Sequence, residues 1–229
     1  MNLVMLDIDG TLTQSYEYDK EVFGTAIGEV LRSAPVDADL NGYVDKTSLG
    51  VTREAIRRQT GKNPKAGEVE EVKRRVLESL EKMYRESPEI FRQVPGAEVF
   101  LQQLRTLKGV GIAIATGCWR SEALFKLGAS GVNVEGIPMA TSDDDQDRQR
   151  IMEISVMRAK DFHDPRGFKR VVYVGDGAWD MQAAHTLGYG FVGIGPRLGA
   201  IAEQEGFRWH QDFTDVEEVL ASITAALGG

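Results

Sequence analysis

The sequence predicts a doubly wound α/β fold, a parallel sheet flanked by helices, with a helical segment inserted after the first strand. Three observations predict it. Short runs of continuous rather than alternating apolarity recur along the chain, as in strands buried on both faces. Amphipathic helical patterns separate them, the strand–helix rhythm of an α/β domain. One long stretch, residues 16–92, carries charged helical patterns and no strand.

The first apolar run is residues 2–6 (NLVML), followed by 111–115 (GIAIA). Residues 136–140 (GIPMA) make a weaker third strand, because Pro138 cannot donate to a central ladder and suits an edge or an irregular strand. Residues 171–174 (VVYV) and 190–194 (GFVGI) complete the predicted strands. Between them, residues 97–108 place Val99, Phe100, Leu101, Leu104 and Leu107 at helical spacing and stop at Gly109. Residues 120–127, 147–162, 178–187 and 214–227 read in the same way, and residues 66–85 form the clearest helix of the insertion. Pro95-Gly96 is the turn that brings the chain back to the sheet. The predicted organisation is therefore a core of residues 1–15 and 93–229 and a helical insertion of residues 16–92. Two independent domains in series would leave the first strand without a sheet.

Composition sets the outer limits. With 229 residues, 42% hydrophobic and 27% charged, the chain has the make-up of a folded globular protein rather than a disordered or fibrous one. Acidic residues (35) outnumber basic ones (27), and the net charge of -8 argues against nucleic acid or an anionic membrane as partner. The single cysteine, Cys118, has no partner for an internal disulfide, which fits a reducing compartment. No signal-like leader and no membrane-length apolar run is evident, so a cytoplasmic location is expected. Oligomeric state is not legible.

The chemistry stands at the carboxyl ends of the predicted strands, where open α/β sheets bind ligands. The first strand runs into Asp7-Ile8-Asp9-Gly10-Thr11, the second into Thr116-Gly117, and the fourth into Gly175-Asp176-Gly177-Ala178-Trp179-Asp180. Four carboxylates on one sheet edge resist ionising together, so the cluster calls for a cation. All-oxygen ligation selects a hard ion, with Mg²⁺ the usual choice beside phosphate.

These residues resemble the haloacid dehalogenase superfamily, and within it proteins of the phosphoglycolate phosphatase and β-phosphoglucomutase kind. The first motif, DxDGT, is here DIDGT; the second, a Thr after an apolar strand, is IATG; the fourth, GDxxxD, is GDGAWD. The insertion after the first motif corresponds to that family's type 1 helical cap. The resemblance implies Mg²⁺-dependent hydrolysis of a small phosphorylated metabolite through an aspartyl phosphate on Asp7. Asp9 would protonate the leaving oxygen and later deprotonate the attacking water. Thr116 would donate its hydroxyl to a phosphoryl oxygen, with Gly10, Thr11 and Gly117 beside the phosphate. Asp7, the Asp9 carbonyl and Asp176 would hold Mg²⁺, with Asp180 at the ion or just behind it. A proton on Asp9 and one basic residue would complete the charge balance that lets a phosphate enter.

The sequence departs from the family at that basic residue. The segment before the fourth motif, SDDDQDRQR, contains no Lys. Arg148 is the first substitute, Arg150 the second, and Lys160 lies toward the far end of the helix. A phosphomutase would use the same groups, and a scaffold that lost turnover is the non-enzyme alternative. A dehalogenase is disfavoured, because halide leaves without a proton and needs neither Asp9 nor Mg²⁺. Plainer roles stand beside these: Asp180 could orient its turn, Thr116 could cap a helix, and Cys118 reads as a buried thiol rather than a reactive one. Trp119 could line the pocket or simply pack. His163, His185 and His210 show no spacing of metal ligands. In the insertion Tyr16, Tyr18, Tyr43, Lys46, Thr47 and Ser48 are candidates to face substrate.

Overall fold

The computed structural model describes residues 1–228, with the backbone alone for Tyr16 and Glu17. Among these, six strands form one parallel sheet: β1 (Asn2–Leu6), β2 (Val110–Ala115), β3 (Met139–Ala140), β4 (Val171–Gly175), β5 (Gly190–Ile194) and β6 (Arg208–His210), in the order β3-β2-β1-β4-β5-β6. The central strand β1 pairs Met5 with Ala113 of β2 on one side and with Tyr173 of β4 on the other. Alternate side chains leave a strand on opposite faces, so Val4 and Leu6 enter one apolar layer and Leu3 and Met5 the other. The first layer is completed by α4 (Ala97–Thr106), α5 (Arg120–Ser130) and α9 (Val216–Ala226). The second is completed by α6 (Arg148–His163), α7 (Ala178–Thr186) and α8 (Gly199–Glu205).

Between β1 and β2 the chain makes α1 (Tyr16–Leu31), α2 (Ser48–Thr60) and α3 (Ala66–Glu86). These helices share an apolar cluster of their own, built on Val22, Ile27, Ile56, Val72, Val76 and Leu80. Local sequence sets their limits: Thr47 caps α2 by accepting from the Gly50 amide at 3.1 Å, and Gly61 ends it in the left-handed conformation. α5 joins the two parts. Its Ala123 and Leu127 lie in the sheet's layer, while Phe125 and Ala129 pack on the cluster of the insertion.

The structure differs from the sequence reading at three places. β3 is two residues rather than five, because Pro138 offers only its carbonyl, which accepts from the Ile114 amide at 2.9 Å. β6 and α8 are additional, and lie at the far edge of the sheet beyond β5. Among the described residues no helix is long and apolar enough to cross a membrane.

Candidate active site

The strand order reverses between β1 and β4, and the crevice beyond their carboxyl ends is where such sheets bind ligands. Asp7 sits in it, fixed by its amide, which donates to the Val174 carbonyl of β4 at 3.0 Å. Asp7 is 3% exposed, and its Oδ1 is buried without a hydrogen-bond partner. Asp176 follows β4, also 3% exposed, and pairs with the Arg197 guanidinium. Asp180, fully buried in the first turn of α7, accepts from the Gly177 amide at 3.0 Å through Oδ2. One oxygen from each of Asp7, Asp176 and Asp180 lies within 4.8 Å of the others. Gly10 closes this floor with φ +77°, and a Cβ there would run into the Asp176 carboxylate.

Arg148, at the start of α6, supplies the positive charge. Its Nη1 lies 2.7 Å from Asp180 Oδ1 and 3.6 Å from Asp7 Oδ2. Arg150 is exposed and pairs with Glu153, and Lys160 is exposed at the other end of the helix; neither approaches the site. Burial nevertheless dominates the carboxylates. It raises Asp7 well above the ordinary range, opposed by Arg148 and reinforced by Asp180, Asp176 and Asp9. Burial likewise holds Asp176 at about 7, with Arg197 working against it, and raises Asp180 against the pull of Arg148. Three buried carboxylates that resist ionising together, with Asp7 Oδ1 lacking any hydrogen-bond partner, fit a hard divalent cation.

Asp9 occupies a different electrostatic environment. Its carboxylate faces Lys126 Nζ at 3.0 Å and is also hydrogen-bonded by Ser15, Cys118 and Thr13. Burial raises Asp9, but the Lys126 charge and the hydrogen bonds from Cys118 and Ser15 outweigh it, and the net shift is downward. Two residues apart, the two carboxyls are thus pushed in opposite directions, Asp7 up and Asp9 down. Lys126 is fully buried and also binds Asp19 and Glu122, each at 2.7 Å. Sequence reasoning misses all three of these residues. Lys126 stands in the amphipathic pattern of α5 like any solvated lysine, and only the packing of α1 and α3 over that helix encloses it.

Thr116 is buried, and its hydroxyl accepts from the Cys118 amide at 3.2 Å. It lines, with Gly117 and the acidic groups, a cavity of about 440 Å³ shared by the sheet edge and the insertion. Thr11 is fully buried and does not line that cavity. Trp119 packs: it is 2% exposed and stacked on Phe23 at 5.5 Å. Lys46, Thr47 and Ser48 line the cavity, whereas Tyr18 and Tyr43 do not, and the side chain of Tyr16 lies outside the described residues.

The model of the haloacid dehalogenase-like hydrolases matches residues 1–188. The chain belongs to that family. It is an enzyme of the haloacid dehalogenase hydrolase type, and solved structures share its fold over nearly the whole chain. A hydrolase from Pseudomonas syringae is 21% identical with a TM-score of 0.71, covering 97% of this chain and 99% of that one. CbbY from Rhodobacter sphaeroides, solved in complex with phosphate, is 16% identical with a TM-score of 0.65, covering 94% and 96%. A predicted phosphoglycolate phosphatase from Haemophilus somnus 129pt is 19% identical with a TM-score of 0.63, covering 96% and 98%. At these identities the likeness is one of fold. No curated protein matches the chain.

Proposed function

We propose that this haloacid dehalogenase-like hydrolase cleaves a small phosphate monoester, with Asp7 as nucleophile. The observation that carries the reading is the buried, unpartnered Oδ1 of Asp7, held at the switch point of the sheet among Asp176, Asp180 and Arg148. Asp7, the Asp9 carbonyl and Asp176 would hold Mg²⁺, with Asp180 adjoining. The ion supplies positive charge against the phosphoryl oxygens and keeps the neighbouring carboxylates ionised.

Asp7 attacks phosphorus, the bond to the alcohol oxygen breaks, and an acyl phosphate forms on its side chain. A protonated Asp9 gives its proton to the departing oxygen. The resulting carboxylate then takes a proton from the water that attacks the acyl phosphate, releasing phosphate and restoring Asp7. Because Lys126 and the hydrogen bonds from Cys118 and Ser15 pull Asp9 down, loosening the Lys126 contact would favour its acid form. Arg148 neutralises charge beside Asp7, and its forked guanidinium suits phosphate oxygens as well as a lysine would. The Thr116 hydroxyl and the backbone at Gly10 and Gly117 would complete the phosphate's surroundings.

We read residues 16–92 as a cap on the core of residues 1–15 and 93–229, excluding water and choosing substrate. The test is hydrolysis of p-nitrophenyl phosphate with and without Mg²⁺ by the wild type and by Asp7→Asn. Loss of at least about 10³-fold on either removal of Mg²⁺ or substitution of Asp7 is expected, since both act on the reacting centre. Wild-type turnover by Asp7→Asn would eliminate the mechanism.

A further inference from the structure

The cavity walls contain more charge than the phosphoryl chemistry uses, and most of it is internally matched. Asp19 and Glu122 are bound by Lys126, Asp39 by Lys20 at 3.5 Å, and Asp176 by Arg197. Lys46 is different. Among the described residues no carboxylate lies within ion-pair distance of its ammonium, although the side chain is half-buried and lines the cavity. Its Nζ donates to the Tyr43 carbonyl at 3.0 Å and lies 5.9 Å from the centroid of Trp179, the outer limit of a cation–π contact.

The position of this lysine is fixed by its backbone. The Lys46 carbonyl accepts from Arg148 Nη2 at 3.2 Å, the Thr47 hydroxyl donates to the Gln146 carbonyl at 2.8 Å, and the Ser48 amide donates to the Gly117 carbonyl at 2.7 Å. A Cβ on Gly117 would approach the Lys46 carbonyl to 3.0 Å, so glycine is what allows this seating. The segment therefore stands directly beside the second motif, one residue removed from the Arg148 that faces Asp7. The indole of Trp179, within the fourth motif, lies near both Lys46 and Arg197, whose guanidinium is 5.6 Å from the ring centroid.

We propose that Lys46 binds a second anionic group on the substrate, making the preferred substrates compact phosphate monoesters whose alcohol part carries a carboxylate or another phosphate. This rests on the phosphomonoesterase reading above and deepens it. A half-buried ammonium with no carboxylate partner gains most from a ligand charge, and an unpaired cation beside the phosphate site disfavours a cationic alcohol part. A lysine, a point charge with three rotatable donors, accepts either anionic group.

The experiment compares kcat/KM for matched small esters: phosphoglycolate (carboxylate), ethanediol bisphosphate (second phosphate), hydroxyethyl phosphate (neutral) and phosphoethanolamine (cationic). Wild type should favour at least one anionic ester over the neutral one by about tenfold or more, the scale of a hydrogen bond to a charged group, with the cationic ester poorest. The carboxylate and bisphosphate arms tell which anion is taken. In Lys46→Met the anionic-to-neutral ratio should fall toward one, and in Lys46→Arg it should persist. A wild-type ratio near one overturns the inference without any variant, as does a ratio that Lys46→Met leaves unchanged. p-Nitrophenyl phosphate separates the two readings: no Mg²⁺-dependent hydrolysis of it or of any ester sinks the phosphatase proposal, whereas hydrolysis without anionic preference sinks only this one.

Discussion

Replacing Arg148 by Met tests the charge balance of the site most directly. Its side chain is 12% exposed and its partners Asp7 and Asp180 5% and 0%, so solvent screens these contacts little. At an effective dielectric constant of about 20, unit charges at 3.6 Å and 2.7 Å attract by about 5 and about 6 kcal/mol before desolvation. Removing one partner of such a buried group typically costs about 3–5 kcal/mol once desolvation is included. If that loss falls on the phosphorylation step, kcat/KM on p-nitrophenyl phosphate drops by about 10²–10⁴-fold. Arg148→Lys, which keeps a charge and loses the fork, should recover most of it. The stability cost has a defined sign with pH. Without the guanidinium the folded-state values of Asp7 and Asp180 rise further above their unfolded values. The variant is therefore least penalised at acid pH, where both carboxyls are protonated in either state, and increasingly penalised as pH rises. Urea midpoints at pH 5 and pH 8 measure this. An Arg148→Met enzyme within a few-fold of wild type, or an Arg148→Lys enzyme no better than Arg148→Met, would refute the reasoning.

Three further outcomes follow. Because burial holds Asp7 well above its ordinary range and Asp176 at about 7, Mg²⁺ must displace protons to bind; its affinity should rise as pH increases from about 6 to 8, with proton release visible by calorimetry in buffers of different ionisation enthalpy. A pH-independent affinity would contradict it. Lys126→Met leaves Asp9, Asp19 and Glu122 buried without their cation and should destabilise the fold by about 3–5 kcal/mol in urea titrations, an effect that adding Asp19→Asn should partly reverse. Gly10→Ala should reduce activity by at least about 10²-fold with little change in melting temperature for variants that fold, since the added carbon meets Asp176 in a backbone conformation with φ +77°; ordinary turnover by this variant would show that the loop can move aside.

What could be read in the sequence was whatever depends on neighbours along the chain. The strand β1 is legible because NLVML is apolar without a break, and its end is legible because Asp7 follows at once. β6 is not, because Arg208-Trp209-His210 forms a ladder only by lying beside β5 at an edge where no apolar run is needed. The same division runs through the site. Arg148 follows from counting charges in a segment without lysine, a local argument. Lys126 does not, because only Glu122, one helical turn earlier on α5, is at a spacing the sequence shows, while Asp9 of the first motif and Asp19 of α1 reach it only through the fold. Arg197 is equally silent, since it reaches Asp176 from beyond β5 through a turn that begins with Gly195 at φ +93°.

That division bears on how an acidic protein could admit the phosphate that the proposed function requires. The net charge of -8 describes the molecule, whereas an incoming anion meets the local arrangement. There, Arg148 faces Asp7 and Asp180, Arg197 faces Asp176, and Lys126 faces Asp9 with its neighbours, three cations drawn from three separate parts of the core. Each carboxylate set has its own counter-charge, so the sets can titrate differently at short range: Asp7 is pushed up and Asp9 pulled down although two residues separate them. Displaced pKa values of this kind would suit the proposed division of labour, one carboxyl as nucleophile and its neighbour as proton carrier. The division is also the reason to expect the insertion to act on catalysis as well as selection. Asp19 of α1 shares Lys126 with Asp9, so any displacement of α1 that took Asp19 away would change the field at Asp9, the proton carrier of the proposed mechanism.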